Sequence, residues 1–224
     1  MRIHDVVSHP ERRRRWAEAL EKHDGCLACA GRELFHIIFY ELAFYIDFPF
    51  EIIKVWNGGM SSFGGLVGAA GAFVYRARKQ HMPREKIYRT ADVISFGALF
   101  GWLVGRLGCF FIHDHLGKLS KSFLSLSMPG GPRLEMALLE IVGLIPLAII
   151  FFCVRKKNQT AGWYTWMLFI YYGLLRFVLD FWRAIDIPVQ DARWFGLTPA
   201  QYFAIILAII GYIQLKKLYG KRTN

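Results

Sequence analysis

Six predominantly apolar stretches, at about 34–55, 61–75, 91–112, 135–154, 162–181 and 199–218, alternate with short polar segments. Most approach the roughly 20 residues that a helix needs to cross a bilayer. The pattern therefore predicts an all-α, polytopic membrane helix bundle of about six transmembrane helices with interfacial segments. The first stretch is interrupted by Glu41, Asp47 and Pro49 and reads as a short helix followed by an interfacial one. The second carries Gly64, Gly65, Gly68 and Gly71, a spacing that lets helices approach closely in lipid. No soluble domain, internal repeat or low-complexity tract is visible, so the chain divides into a basic segment at 1–30 and a transmembrane domain at 31–224.

Composition agrees with this reading. The chain is 54% hydrophobic and 16% aromatic, with a mean hydropathy of +0.29, values that a soluble domain of this length rarely reaches. A net charge of +11 would suggest nucleic acid in a soluble protein. Here the cations cluster between the apolar runs: Arg76, Arg78, Lys79 and Arg84; then Arg155, Lys156 and Lys157; then Lys216, Lys217, Lys221 and Arg222. If each stretch crosses once, all three clusters fall on one side, as the positive-inside rule requires. That side is the cytoplasm, and the electrostatic partner is an anionic lipid headgroup rather than nucleic acid. Segment 1–30 holds Arg12, Arg13, Arg14 and Arg15 with no apolar core behind them. It is expected to stay cytoplasmic and to contain no cleavable signal peptide.

The four cysteines do not form a disulfide framework. Cys26 and Cys29 have zinc-like spacing, but no second ligand pair follows, so no metal site is expected. Cys153 reads as a small buried hydrophobe.

Candidate chemistry lies where charge interrupts the apolar runs. Arg106 sits inside the third stretch, at a cost of roughly 2.5–3.5 kcal/mol on insertion scales unless it meets a partner, an anion or a wet cavity. His113-Asp114-His115 follows it and could move protons near neutral pH. The same residues could also be a solvated interfacial loop. In the fifth stretch Tyr172, Arg176 and Asp180 are spaced four apart and share one helix face, with Arg183 three beyond. Two readings are open: an architectural ion pair, or a phosphate cradle shared by Arg176 and Arg106, for which arginine's planar fork is suited. Glu135 and Glu140 sit in or near the fourth helix and need partners, for which the arginines are candidates. Trp56-Asn57-Gly58-Gly59-Met60-Ser61 precedes a helix whose free amides could face an anion, although a glycine pair there could be only a turn, with Ser61 or Ser62 as its cap.

Three ordered motifs resemble the phosphatidylglycerol–prolipoprotein diacylglyceryl transferase family. Trp56 to Ser61 with Gly64-Gly65-Leu66 is similar to its W-x-G-G-M-S-F-H-G-G-L segment. Gly105-Arg106-Leu107-Gly108 through Gly117 is similar to its G-R-x-G-N-F-x-N-x-E-x-x-G signature. Tyr172-Gly173-Leu174-Leu175-Arg176-Phe177 with Asp180 and Arg183 is similar to its Y-G-x-x-R-F-x-x-E-x-x-R helix. The resemblance implies transfer of a diacylglyceryl group from phosphatidylglycerol to the lipobox cysteine thiol of a prolipoprotein, with glycerol phosphate as leaving group. It implies residence in the bacterial cytoplasmic membrane, with the site toward the extracytoplasmic side. The family's essential arginines map onto Arg106 and Arg176. Gly58, Gly59, Ser61, Gly64, Gly65, Asp114, Gly117, Glu135, Tyr172, Asp180 and Arg183 then become candidates for substrate binding. No cofactor is expected, because the donor lipid already carries its leaving group.

The departures from the family pattern are specific. Its histidine before Gly-Gly is Phe63 here, its two asparagines are Cys109 and Ile112, and its glutamate is Asp114. His113 and His115 stand near Arg106 instead, and either could take over the proton-transfer role. The family's first transmembrane helix precedes the segment resembling Gly31-Arg32. This chain has its basic 1–30 segment there, compatible with a truncated start or with a subgroup lacking that helix. The competing readings are a homologue with another donor or acceptor, a non-catalytic protein that binds anionic lipid or lipoprotein, and a small membrane transporter.

Overall fold

The computed structural model describes residues 62–220 apart from Asp114, Pro129 and residues 187–192, with side chains from Gly68 onward. The 1–30 segment, the first apolar stretch, Cys26, Cys29, Gly58, Gly59, Ser61 and Asp114 lie outside the described residues. The chain divides into two compact units at Tyr88.

The first unit contributes α1, Ser62–Lys79. Gly64 and Gly65 fall in its opening turns, so the second apolar stretch is a helix that continues into its basic end. A Cβ added at Gly71 would meet no described atom within 4 Å.

The second unit begins within α2, Arg84–Ile112. It continues through three short strands, β1 Leu116–Leu119, β2 Ser125–Met128 and β3 Gly131–Glu135, to α3 Met136–Val154. Then follow α4, Trp163–Leu179, a 3-10 turn Asp180–Trp182, and α5, Pro199–Gly220. Among the described residues α2, α3 and α5 are long and apolar enough to cross a membrane. α4 has 17 residues and is prolonged by the 3-10 turn. At 1.5 Å per residue α2 is about 44 Å long, longer than a hydrocarbon core of about 30 Å. Its polar first turns, Arg84 to Thr90, are helical although the apolar stretch begins only at Ala91.

The all-α expectation needs one correction. The segment after α2 folds into an antiparallel sheet of order β1-β3-β2. Ser125-Leu126-Ser127-Met128 alternates polar and apolar residues, the period of a strand. It pairs with β3 in the register Met128↔Gly131 to Ser125↔Leu134. Gly130 and Gly131 take φ of +96° and +118°, which the reversal requires and which glycine adopts without strain.

The starts of α3, α4 and α5 each have an identifiable cap. Glu135 Oε2 accepts from Leu138 N at 2.7 Å, closing the amino end of α3. α5 opens with a reciprocal capping box. Gln201 N donates to Thr198 Oγ1 at 3.2 Å, and Thr198 N donates to Gln201 Oε1 at 3.0 Å. Pro199 takes the first helical position, where a missing N–H costs nothing. α4 is capped from another helix: buried Asp92 of α2 accepts from Gly162 N at 2.7 Å and from Thr165 N at 3.0 Å. Asp92 was not singled out by the sequence reading, although it is a carboxylate within the third apolar stretch.

The core of this unit is made by Leu99, Leu144, Leu147, Phe151 and Ala204, all essentially inaccessible. Phe151 packs against Phe96 and Tyr164, with ring centroids 6.0 and 5.0 Å away. α4 and α5 touch backbone to backbone. A Cβ at Gly173 would lie 2.6 Å from Ala204 O, and one at Gly211 2.9 Å from Ile170. Small residues thus permit close helix contact, as is common in lipid. Cys153 is exposed on α3 rather than buried. An apolar side chain on a lipid-facing surface needs no protein neighbour to leave water.

Candidate active site

Four helix ends converge at one end of this unit. Arg106 stands six residues before the end of α2, and Glu140 four residues into α3. Arg176 stands in the last turn of α4, and Asp180 immediately follows that helix. Thr198 caps α5 beside them.

Glu140 is the centre of the cluster. Its Oε2 lies 3.0 Å from Arg106 Nη2 and 3.4 Å from Arg176 Nη1, while its Oε1 accepts from Trp102 Nε1 at 2.8 Å. Asp180 Oδ1 is 3.2 Å from Arg176 Nη2 and 3.9 Å from Arg183 Nη1. Its other oxygen accepts from the Thr198 hydroxyl. Gln201 Nε2 donates to Phe177 O at 3.1 Å, joining α5 to the end of α4. Tyr172 is buried against Trp102 with ring centroids 5.2 Å apart. Trp102 also lies under Arg106, 5.6 Å from guanidinium carbon to ring centroid.

Three guanidinium groups and two carboxylates leave the cluster with one net positive charge. Arg106 is 8% exposed, and its Nε has no partner among the described residues. The carboxylates hold the arginines in place without neutralising them all. Such an assembly can receive an anion with two pre-oriented forks.

The three-stranded sheet closes over this end. Gly117 forms a β-bridge with Arg183, and Ala184 N donates to Leu116 O at 3.2 Å. Arg133 of β3 binds Asp186 with both terminal nitrogens, Nη1 at 2.9 Å from Oδ1 and Nη2 at 2.5 Å from Oδ2. The Arg133 hydrogen bond holds the Asp186 carboxyl below the ordinary carboxylate range.

The other sequence candidates are placed as follows. Gly117 lies in β1, where a Cβ would come 2.8 Å from Leu134 Cβ, and its carbonyl accepts from Arg133 Nη1 at 3.3 Å. Glu135 caps α3. His113 ends α2 with a left-handed φ of +53°, its ring 5.8 Å from that of Phe110. It is seven residues beyond Arg106, about 10 Å along the helix axis. His115 leads into β1, and its carbonyl accepts from Met136 N at 3.0 Å. Cys109, where the resemblance expects asparagine, presents its sulfur 3.9 Å from Arg106 Nη1. Trp102, Thr198 and Gln201 join the site without having been singled out. The Thr198-Pro199-Ala200-Gln201 capping signature was legible, but its tie to Asp180 was not.

A family model described as prolipoprotein diacylglyceryl transferase matches residues 24–216. The chain belongs to this family. A phosphatidylglycerol–prolipoprotein diacylglyceryl transferase from Geobacter sulfurreducens is 35% identical over 160 residues, 70% of this chain and 60% of that protein. Proteins of the same name from Wolbachia of Culex pipiens and of Brugia malayi are 29% and 30% identical. These matches cover 82% and 87% of this chain, and 71% and 75% of the relatives. The chain thus spans less than two thirds of the Geobacter relative and about three quarters of the other two. All the helices of the Arg106–Glu140–Arg176 cluster fall within the residues matched to the diacylglyceryl transferase family.

Proposed function

We propose that the chain is a transferase that moves the diacylglyceryl group of phosphatidylglycerol to the lipobox cysteine thiol of a prolipoprotein and releases glycerol phosphate. The observation that carries this reading is the convergence of Arg106 and Arg176 on Glu140, in a buried cluster of net positive charge at one end of membrane-length helices. The family and the names of its relatives support the same chemistry.

In this reaction the peptide sulfur attacks the carbon of the diacylglyceryl moiety that bears the phosphodiester oxygen, not the headgroup glycerol carbon. The carbon–oxygen bond breaks, its electron pair passes to that oxygen, and a thioether forms. The departing glycerol phosphate gains negative charge as the bond opens. Arg106 and Arg176, already fixed by Glu140 and Asp180, stabilise that charge with no reorganisation at the moment of reaction. Arg183 extends the positive field toward the headgroup, and Tyr172 packs the wall behind it. The nucleophile is the thiolate, so the ordinary thiol pKa near 8.5 calls for a base. His113 or His115 takes that proton, with Asp114 orienting the imidazole. Gly58, Gly59, Ser61, Gly64 and Gly65 let backbone approach the headgroup.

The protein resides in the bacterial cytoplasmic membrane with about six crossings, a cytoplasmic 1–30 segment, and this site toward the extracytoplasmic side. Arg89, Arg155 to Lys157 and Lys216 support that orientation, since they gather at the helix ends remote from Glu140. Arg89 Nη1, for example, donates to Gln159 O at 3.3 Å.

The test is transfer in vesicles of phosphatidylglycerol with a lipobox peptide, read as the mass gain of the peptide. Transfer is expected, and it should vanish in the His113→Gln, His115→Gln double variant while membrane insertion persists. Glycerol phosphate release without peptide modification would assign a different acceptor. Saturable lipid binding without turnover would overturn the transferase reading in favour of a binding protein.

A further inference from the structure

Two loop tips, one in the sheet joined to the cluster through Gly117 and Arg183 and one just ahead of α5, share an arrangement that the proposed reaction does not use. Phe123, between β1 and β2, is 94% exposed. Its turn is fixed locally: Ser122 N donates to Ser120 Oγ and Leu124 N to Ser122 Oγ, each at 3.2 Å, and Ser125 N donates to Ser122 O at 3.0 Å. Phe195, just before α5, is completely exposed. It takes a left-handed φ of +50°, an unusual conformation for a bulky residue. The turn holding it is closed by Trp194 N to Leu197 O at 2.8 Å and Leu197 N to Trp194 O at 3.0 Å. Tyr202 Oη donates to Trp194 O at 2.7 Å, anchoring that turn to α5. A cation stands two residues before each phenylalanine, Lys121 and Arg193. Core packing explains neither ring, because neither is covered.

Phe195 lies four residues before Pro199, where a membrane-length helix begins. That places it at headgroup depth, where aromatic residues collect. A flanking cation suits an anionic headgroup, and a rigid turn keeps the apolar ring pointing outward. We propose that Phe123 and Phe195 are interfacial anchors that insert into the phospholipid leaflet on the Arg106 side, holding the sheet and the start of α5 against the lipid surface. The inference rests on the membrane placement of the helices and not on the transferase reading, so it stands or falls separately from that reading.

The experiment replaces Phe123 or Phe195, one at a time, by the photoreactive analogue benzoylphenylalanine, which keeps the aromatic shape. Ser127, exposed on the same sheet, is the comparison position. Full-length protein in phosphatidylglycerol vesicles is irradiated, and adducts are read by mass. Phospholipid adducts at positions 123 and 195, at least fivefold above position 127, are expected without any peptide present. Adduct yields no higher than at position 127 would overturn the proposal. So would adducts that form only with added lipobox peptide, which would assign the tips to the acceptor.

Discussion

Glu140 accepts contacts from two guanidinium groups and an indole N–H, so its single charge organises three side chains from two other helices. Removing that charge and removing a fork have different consequences. Glu140→Gln leaves two buried cations facing each other, and losing one partner of a buried ion pair costs about 3–5 kcal/mol. A lower melting temperature in detergent is expected, with transfer falling in step. Arg106→Lys keeps the charge but presents a single ammonium instead of a planar fork. Folding should change little, while kcat drops by about 100- to 1000-fold, the range for losing one oxyanion-directed donor. Steady-state transfer rates and melting curves on the same preparations separate the two. If Arg106→Lys transfers as fast as the parent, Arg106 does not stabilise the leaving phosphate. At this scale the sequence was informative: an arginine in an apolar run, and a Tyr-Arg-Asp face at spacing four, identify residues that need partners. It gave Glu140 as a candidate partner but could not reveal that one carboxylate serves both arginines, because that depends on how three helices cross.

At the scale of elements, caps decide where helices begin. Thr198→Ala removes both the acceptor for Gln201 N and the hydroxyl that binds Asp180. N-cap replacements cost typically about 1 kcal/mol, and the hydroxyl lost to buried Asp180 adds to that. A measured loss of about 2 kcal/mol in detergent unfolding is expected, while Thr198→Ser, which keeps the hydroxyl for both contacts, should retain most of the stability. The Asp186–Arg133 contact makes a prediction in pH. A carboxyl whose folded pKa is depressed stabilises above its unfolded value and loses that contribution as pH falls through the folded value. The difference in melting temperature between the parent and Asp186→Asn should therefore be constant from pH 7 to about pH 4, the unfolded aspartate value. It should shrink below that pH. A difference that vanished between pH 7 and 5 would show that another group is titrating. The capping box was legible as Thr-Pro-Ala-Gln. Asp92 at the start of α4 was not, since a cap supplied from 70 residues away leaves no local signature. The sheet was missed for a related reason: its strands have four or five residues, too few for alternation to stand out beside membrane helices.

At the scale of the whole molecule, charge and chemistry separate along the helix axes. Arg89, Arg155 to Lys157 and Lys216 lie toward one end, and Arg106, Glu140, Arg176 and Asp180 toward the other. This separation was legible without coordinates, because parity across apolar runs and the position of each cation are both properties of the sequence. What it implies is an orientation, and that can be measured directly. In a variant with Cys26, Cys29, Cys109 and Cys153 replaced by alanine, single cysteines at Lys157 and at Lys121 probe the two ends. A membrane-impermeant maleimide added to intact spheroplasts should label position 121 at once and position 157 only after lysis. Lysine to cysteine at an exposed loop disturbs neither the cluster nor its caps. The insertion energetics behind the expectation are cumulative: an arginine or lysine at the bilayer centre costs about 2.5–3.5 kcal/mol on insertion scales, so several cations in one loop strongly disfavour its translocation. Labelling of position 157 in intact spheroplasts would place the site on the cytoplasmic face, where it would meet the donor lipid but not an exported acceptor. The transferase reading would then need a cytoplasmic thiol.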